Sequence, residues 1–94
     1  MIVLKFLAVC GFGVGSSMIL RMSLEKVCKE LALDVEVENT DISSAHGEKC
    51  DAIFTSAELQ AELQTGNIPV YPIKKYMDLT EVKVAVQKFL EERK

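Results

Sequence analysis

The strongest restriction on the fold comes from the start of the chain, where an apolar run leads through a glycine-rich loop into an amphipathic helix. Ile2 to Val9 is nearly all apolar, as expected for a strand buried on both faces of a parallel sheet. Three of the five glycines of the chain fall within Cys10 to Gly15. Apolar residues then recur at helical spacing from Met18 to Leu31. These residues predict a strand–loop–helix unit of an α/β fold.

The rest of the chain continues this alternation. Further strands are predicted at 34–38, 52–55 and 68–73, and further helices at 57–64 and 81–92. Ser56 and Thr80 are the predicted N-caps of these two helices, and 39–50 is predicted to be a polar loop with at most one helical turn. Its two prolines confine the fourth strand to an edge of the sheet, or the prolines themselves to the ends of the strand. Because right-handed crossovers join such strands, we expect a four-stranded parallel sheet with helices on both faces, a Rossmann-like three-layer sandwich.

Composition excludes several classes of protein. The 94 residues suffice for a single domain, predicted to span 1–94, and the net charge of −3 provides no basic surface for nucleic acid. No stretch approaches the roughly 20 apolar residues that cross a bilayer. Lys5 interrupts the first apolar run, and Val9 stands where a signal peptide needs a small residue, so we expect a cytoplasmic protein. Three cysteines and one histidine without ligand spacing predict neither a disulfide framework nor a metal site.

The glycine-rich loop is the predicted functional site, because ligands of such sheets bind beyond the carboxyl ends of the strands. Cys10 stands at the end of the first strand. The N–H groups of the loop, with those of a helix that Ser16 and Ser17 would cap, form an anion cradle. A helix start also depresses the pKa of a cysteine, and the thiolate is a nucleophile. We therefore predict covalent phosphoryl transfer by Cys10; the alternative is a core cysteine beside a tight turn.

Other glycine-rich motifs do not match this loop. A nucleoside-triphosphate P-loop requires a lysine, and the loop has none. The dinucleotide motif G-x-G-x-x-G fails because its last position falls on Ser16 when counted from Gly11, and on Met18 when counted from Gly13. Protein tyrosine phosphatases use C-x5-R, and Ser16 occupies the position of the arginine that clamps the transition-state charge. The loop is therefore better suited to holding a phosphoryl group on sulfur than to releasing it to water.

The motif C-G-x-G-x-G-S-S-M, from Cys10 to Met18, resembles the cysteine-phosphorylated IIB components of the phosphoenolpyruvate-dependent sugar phosphotransferase system. The ascorbate-type IIB proteins are the nearer resemblance, and the galactitol type is a weaker one. Asp51 to Ser56 looks like the third strand of the family. Phe12 departs from the polar residue expected after the first glycine, which makes it a candidate partner contact if it is exposed.

The resemblance implies a IIB-type fold and a phosphoryl relay that needs no cofactor. A phosphohistidine on a IIA partner would phosphorylate Cys10, which would then phosphorylate a sugar, most simply ascorbate, as it crosses through the membrane component IIC. The phosphate cradle would consist of the residues that follow Cys10, namely Gly11, Phe12, Gly13, Val14, Gly15, Ser16 and Ser17. Thr55 and Ser56, at the end of the third strand, would flank the same edge.

Two other functions stay open from the sequence: a small cysteine phosphatase or arsenate-reductase-like enzyme, and a IIB-like regulatory domain outside transport. Cys28 and Cys50 are interpreted as structural cysteines, and His46 as a solvated loop residue. Met18 and Met22 fit either an adaptable contact patch or the core.

Overall fold

The computed structural model describes residues 4–9, 14–40, 49–63 and 68–92, and at 14–17 it describes the backbone alone. The strands are β1 (Leu4–Val9), β2 (Val35–Thr40), β3 (Ala52–Thr55) and β4 (Val70–Pro72). The helices are α1 (Val14–Glu30), α2 (Ala57–Leu63) and α3 (Leu79–Glu92). The helical turn allowed for between β2 and β3 falls largely on residues 41–48, outside the described ranges.

All four strands are parallel and lie in the order β2-β1-β3-β4. β1 is central, with Val9 opposite Thr40 of β2 and Ala8 opposite Phe54 of β3. A strand with a neighbour on each side and helices on both faces is buried on both faces, which is why Phe6 to Val9 are buried and every residue of β1 except Lys5 is apolar. The predicted four-stranded parallel sheet is confirmed.

The segment with two prolines forms an edge strand, but β4 spans only Val70–Pro72. Pro69 lies just before the strand and Pro72 is its last residue, so both parts of the prediction hold. The residues on either side still bind β3 through the backbone: Ile53 donates to the Pro69 carbonyl at 3.0 Å, and Ile73 donates to the Thr55 carbonyl at 2.7 Å. Proline is tolerated here because an edge strand has one side without a ladder partner.

The helices cover both faces of the sheet, which confirms the three-layer expectation. α1 and α3 pack on one face, where the buried side chains of the helices meet those of β1 and β3: Leu20, Leu24, Val27, Val82, Val86, Phe89, Phe6, Ala8 and Phe54. α2 packs on the other face, where Leu63 joins Leu7, Val9, Ile53 and Val70. On the first face, ring centroids of Phe6 and Phe54 are 5.0 Å apart, and those of Phe54 and Tyr71 are 5.4 Å apart.

Two helix starts differ from the prediction. Asp78 caps α3, since its Oδ1 accepts from the N–H groups of Thr80 at 3.0 Å and Glu81 at 3.2 Å. Thr80 is therefore inside the helix, and its prediction as N-cap is wrong. α1 begins at Val14, so Ser16 and Ser17 lie in its first turn and do not precede it. Glycine has a low helix propensity, but packing of a helix against a sheet overrides propensity at single positions.

No glycine stands directly after α1 in the sequence to mark the end of the helix. Ala32 has a positive φ of 57°, and the backbone closes a Schellman motif, in which Leu33 donates to the Cys28 carbonyl at 2.8 Å and Ala32 donates to the Lys29 carbonyl at 3.1 Å. This motif turns the chain back so that β2 can begin at Val35 beside β1.

Candidate functional site

The described strand β1 ends at the carboxyl edge of the sheet, directly before the predicted loop in the sequence. β1 ends at Val9 and α1 begins at Val14, so residues 10–13 connect the central strand with the start of a helix. Cys10, Gly11, Phe12 and Gly13 fall outside the described residues, and their roles stay predictions.

The first turn of α1 is formed by Val14 to Ser17. The first N–H groups of a helix have no carbonyl partner within it, and the helix dipole places roughly half a positive charge there. Because the helix starts earlier than expected, the second half of the predicted cradle (Val14, Gly15, Ser16 and Ser17) consists of helical backbone. That arrangement favours an anion at the end of β1.

Thr55 reaches the residue that precedes Cys10. Its side chain is fully buried, and its Oγ1 donates a hydrogen bond to the Val9 carbonyl at 2.9 Å. The hydroxyl therefore stabilises the end of β1 and is occupied there. Ser56 follows as a half-buried residue directly before α2, and its carbonyl accepts from the Leu59 N–H at 3.2 Å. The structure thus places both predicted flanking residues at this edge, with Thr55 as its support.

Replacing Thr55 with valine is expected to lower the free energy of unfolding by about 1–2 kcal/mol, because the variant keeps the shape of the side chain but leaves the buried Val9 carbonyl without this donor. Urea denaturation with an unchanged m-value measures the loss. Thr40→Val is a matched control, since Thr40 ends β2 opposite Val9 but is half-exposed, and it should change stability by less than about 0.5 kcal/mol. Equal stability of Thr55→Val and wild type would contradict the assigned role.

Arg21 was not singled out from the sequence, although the structure places its guanidinium near the carboxyl ends of β1 and β2. Its Nη1 donates to Asn39 Oδ1 at 3.2 Å, and its Nε lies 3.5 Å from Glu25 Oε1. Asn39 pairs with Ala8 of β1, one position before Val9. Arg21 and Glu25 line a polar cleft of about 450 Å³ along β2. The i, i+4 spacing of Arg21 and Glu25 was the only sequence signal for this pair.

The other thiols differ in their surroundings. Cys28 is 3% exposed, and burial, reinforced by the negative charge of Glu25, raises the pKa of its thiol to about 11. A thiol of this pKa is almost entirely protonated at neutral pH, so Cys28 is a core residue, as predicted. Cys50 is half-buried and packs against the cluster beneath α2. His46 lies outside the described residues.

Two further properties concern the described residues alone. No group of three or more histidine, cysteine, aspartate or glutamate side chains among them could hold a metal ion. None of the helices in these ranges has the length and apolar character needed to span a membrane.

Two solved structures resemble this fold over nearly the whole chain. The lactose-specific IIB component domain of the phosphoenolpyruvate:carbohydrate phosphotransferase system (PTS) from Streptococcus pneumoniae has a TM-score of 0.72 at 18% identity, and covers 97% of this chain and 98% of its own. An Enzyme IIB subunit of the PTS from Escherichia coli K12 has a TM-score of 0.50 at 19% identity, with coverages of 95% and 90%. At these identities the likeness demonstrates the fold.

Sequence comparison identifies the family. Residues 5–88 match the family described as "PTS system, Lactose/Cellobiose specific IIB subunit". The ascorbate-specific PTS system EIIB component of Mycoplasma pneumoniae is 31% identical over 90 residues, which are 93% of this chain and 95% of that protein. The resemblance inferred from the loop motif is confirmed at the level of the family. The chain belongs to the PTS IIB family and is a phosphotransferase component of a sugar phosphotransferase system.

Proposed function

We propose that the chain is a cytoplasmic carrier that accepts a phosphoryl group from the phosphohistidine of a IIA protein onto Cys10 and passes it to a sugar in the membrane component IIC. The observation that supports this proposal is that β1 ends at Val9 and α1 begins at Val14. Cys10 directly follows Val9 in the sequence, and ligands of such sheets bind beyond the carboxyl ends of the strands. The ascorbate-specific relative makes ascorbate the first sugar to test.

In the accepting step, the thiolate of Cys10 attacks the phosphorus of the donor's phosphohistidine. The S–P bond forms as the N–P bond breaks, and the electron pair of the N–P bond stays on the imidazole nitrogen. The imidazole takes up a proton from solvent and leaves as a neutral ring. The N–H groups at the start of α1 stabilise both the thiolate and the charge on the phosphoryl oxygens. The side chains of Ser16 and Ser17 are the proposed additional donors.

In the donating step, a hydroxyl oxygen of the sugar attacks the same phosphorus. The O–P bond forms, the S–P bond breaks, the thiolate returns to Cys10, and the hydroxyl proton passes to solvent or a base on the partner. A thiolate stabilised by a helix start is a better leaving group than an ordinary one, so the same feature serves both steps. Thr55 supports this chemistry indirectly, because its hydrogen bond to the Val9 carbonyl stabilises the end of β1 next to Cys10 in the sequence.

The test is the intact mass of the chain before and after incubation with phosphoenolpyruvate, the general phosphotransfer proteins and a panel of IIA proteins. We expect one phosphoryl group per chain, on the peptide that contains Cys10, and the same adduct in Cys28→Ala and Cys50→Ser. The buried Cys28 cannot be the acceptor if its thiol remains protonated. An adduct on another residue, or no adduct together with hydrolysis of an aryl phosphate, would contradict the proposal.

A further inference from the structure

The described surface contains one concentrated apolar patch, formed by the exposed residues of α1 and of the segment that enters α3. Four of the six large apolar side chains that are exposed among the described residues belong to it: Ile19, Met22, Met77 and Leu79, which are between 40% and 79% exposed. They border a groove of about 220 Å³ lined by Ile19, Met22, Ser23, Lys26, Met77 and Leu79, here called the methionine groove. Such a patch on a small domain marks an interaction surface.

The two sides of the groove are held together. Ser23 is buried, and its Oγ donates a hydrogen bond to the carbonyl of Tyr76, which fixes α1 to the segment before α3. Asp78 then caps α3 and donates its own N–H to the Lys75 carbonyl at 3.0 Å. The groove is therefore preformed, which lowers the entropy cost of binding a partner.

The position of the groove relates it to the proposed phosphoryl site. Ile19 and Met22 are five and eight residues after Val14, which places them about 7 and 12 Å along α1 from its first turn. A standard protein interface buries about 800 Å² on each partner and is roughly 30 Å across. A donor whose interface is centred on the start of α1 therefore also reaches the methionine groove.

The charges around the groove select the type of partner. Lys26 lines it, and Lys74 and Lys75 are exposed in the segment that carries Met77. Two carboxylates lie in the same segment. Glu81 accepts hydrogen bonds from the backbone N–H groups of Lys74 at 2.7 Å and Lys75 at 3.0 Å, and Asp78, next to Met77, caps α3. The three lysines outnumber these two carboxylates, both of which are bonded to backbone N–H groups, so the rim has an excess of positive charge although the chain has a net charge of −3. It suits a partner that presents an apolar side chain surrounded by carboxylates.

We propose that the methionine groove is the docking surface for the phosphohistidine donor; this inference rests on the proposed function. A second copy of the chain is disfavoured, because a two-fold contact would oppose one lysine rim to another. The permease is disfavoured because cytoplasmic loops of membrane proteins carry an excess of lysine and arginine. Methionine side chains adapt to the shape of an inserted apolar group, which suits a contact that must form and break at every transfer.

The experiment compares steady-state phosphorylation of wild type, the double variant Met22→Gln/Met77→Gln and the matched control Val84→Gln. Val84 is 59% exposed on α3 and does not line the groove. The double variant should raise the KM for the phosphorylated IIA donor about 10- to 100-fold, the range expected for losing central apolar contacts. Final phosphoryl occupancy at saturating donor and alkylation of Cys10 by iodoacetamide should not change. The control should stay within about twofold of wild type.

Several results would overturn the assignment. If the KM of the double variant for the phosphorylated IIA donor equals that of wild type, the donor does not dock in the methionine groove. An unchanged donor KM with slower sugar phosphorylation in IIC-containing vesicles assigns the groove to the permease, and a dimer lost only in the double variant assigns it to a second copy. A wild-type chain that no IIA protein phosphorylates contradicts the proposed function itself. If only the docking assignment is wrong, the wild-type chain is still phosphorylated by its IIA donor, which distinguishes this outcome from failure of the proposed function.

Discussion

Replacing Cys10 with serine is expected to abolish phosphoryl transfer, with a loss of roughly 10⁴-fold or more, on the scale of removing a catalytic nucleophile. A serine hydroxyl is almost never ionised at neutral pH, and a helix start cannot compensate for this, because its effect on ionisation amounts to about 1–2 kcal/mol. The intact-mass assay should find the phosphoryl adduct on wild type and none on Cys10→Ser. The rate of sugar phosphorylation should fall in the same proportion.

The variant should fold normally, since the substitution changes one atom. Its free energy of unfolding should stay within about 0.5 kcal/mol of wild type, so that a loss of transfer reports on chemistry. Cys50→Ser makes the same atomic change at a half-buried thiol and should retain full transfer. Sugar phosphorylation by Cys10→Ser would end the proposal. Hydrolysis of p-nitrophenyl phosphate by wild type would favour the cysteine phosphatase instead, although Ser16 and not an arginine stands at the last position of C-x5-R.

Replacing Phe54 with alanine should lower the free energy of unfolding by about 3–5 kcal/mol, which is among the largest losses expected from a single core substitution in the described residues. The side chain is fully buried in the centre of the sheet, and its ring packs between Phe6 and Tyr71. Removing it loses apolar burial and leaves a cavity that β3, with neighbours on both sides, cannot close. The total free energy of unfolding of a small domain is about 5–15 kcal/mol, so the variant should be close to unfolding at moderate temperature.

Urea denaturation measures this loss, and thermal unfolding should show a Tm lower by about 4–8 °C for each kcal/mol. Phe54→Leu keeps most of the volume and provides a folded variant with a smaller loss if the alanine variant does not fold. Val84→Ala removes apolar atoms at an exposed position of α3 and should cost less than about 0.5 kcal/mol. A loss below about 1 kcal/mol in Phe54→Ala would contradict the packing described here.

Much of the fold is readable from the sequence because periodicity reflects burial. The apolar residues of β1 indicate a strand with neighbours on both sides, and the structure confirms this. The alternation at 34–38 indicates a half-exposed strand, and β2 is an edge strand in which Val37 is the buried residue. The helical spacing of Leu20, Leu24 and Val27 matches their burial against the sheet. These features are readable because the period of a strand or helix decides which of its side chains face the core and which face solvent.

Helix ends were less predictable, because several nearby residues can cap equally well. Asp78 and Thr80 are both good N-cap residues, and the difference lies in where the chain leaves β4 and meets α1 through Ser23 and Tyr76. The end of α1 at Ala32 carries no sequence signal, since the left-handed conformation is held there by the return of the chain to β2.

The sequence by itself determined the order of the strands and helices along the chain, the family motif and the place of Cys10 after the first strand, since these depend on residues close together in the chain. The tertiary structure alone decided the strand order, the bond from Thr55 to Val9, the pairing of Arg21 with Asn39 and the exposure of Met18 and Met22. Each of these joins residues at least 18 positions apart or depends on which helix face is left uncovered. Such features arise from packing the whole chain, and no local pattern encodes them.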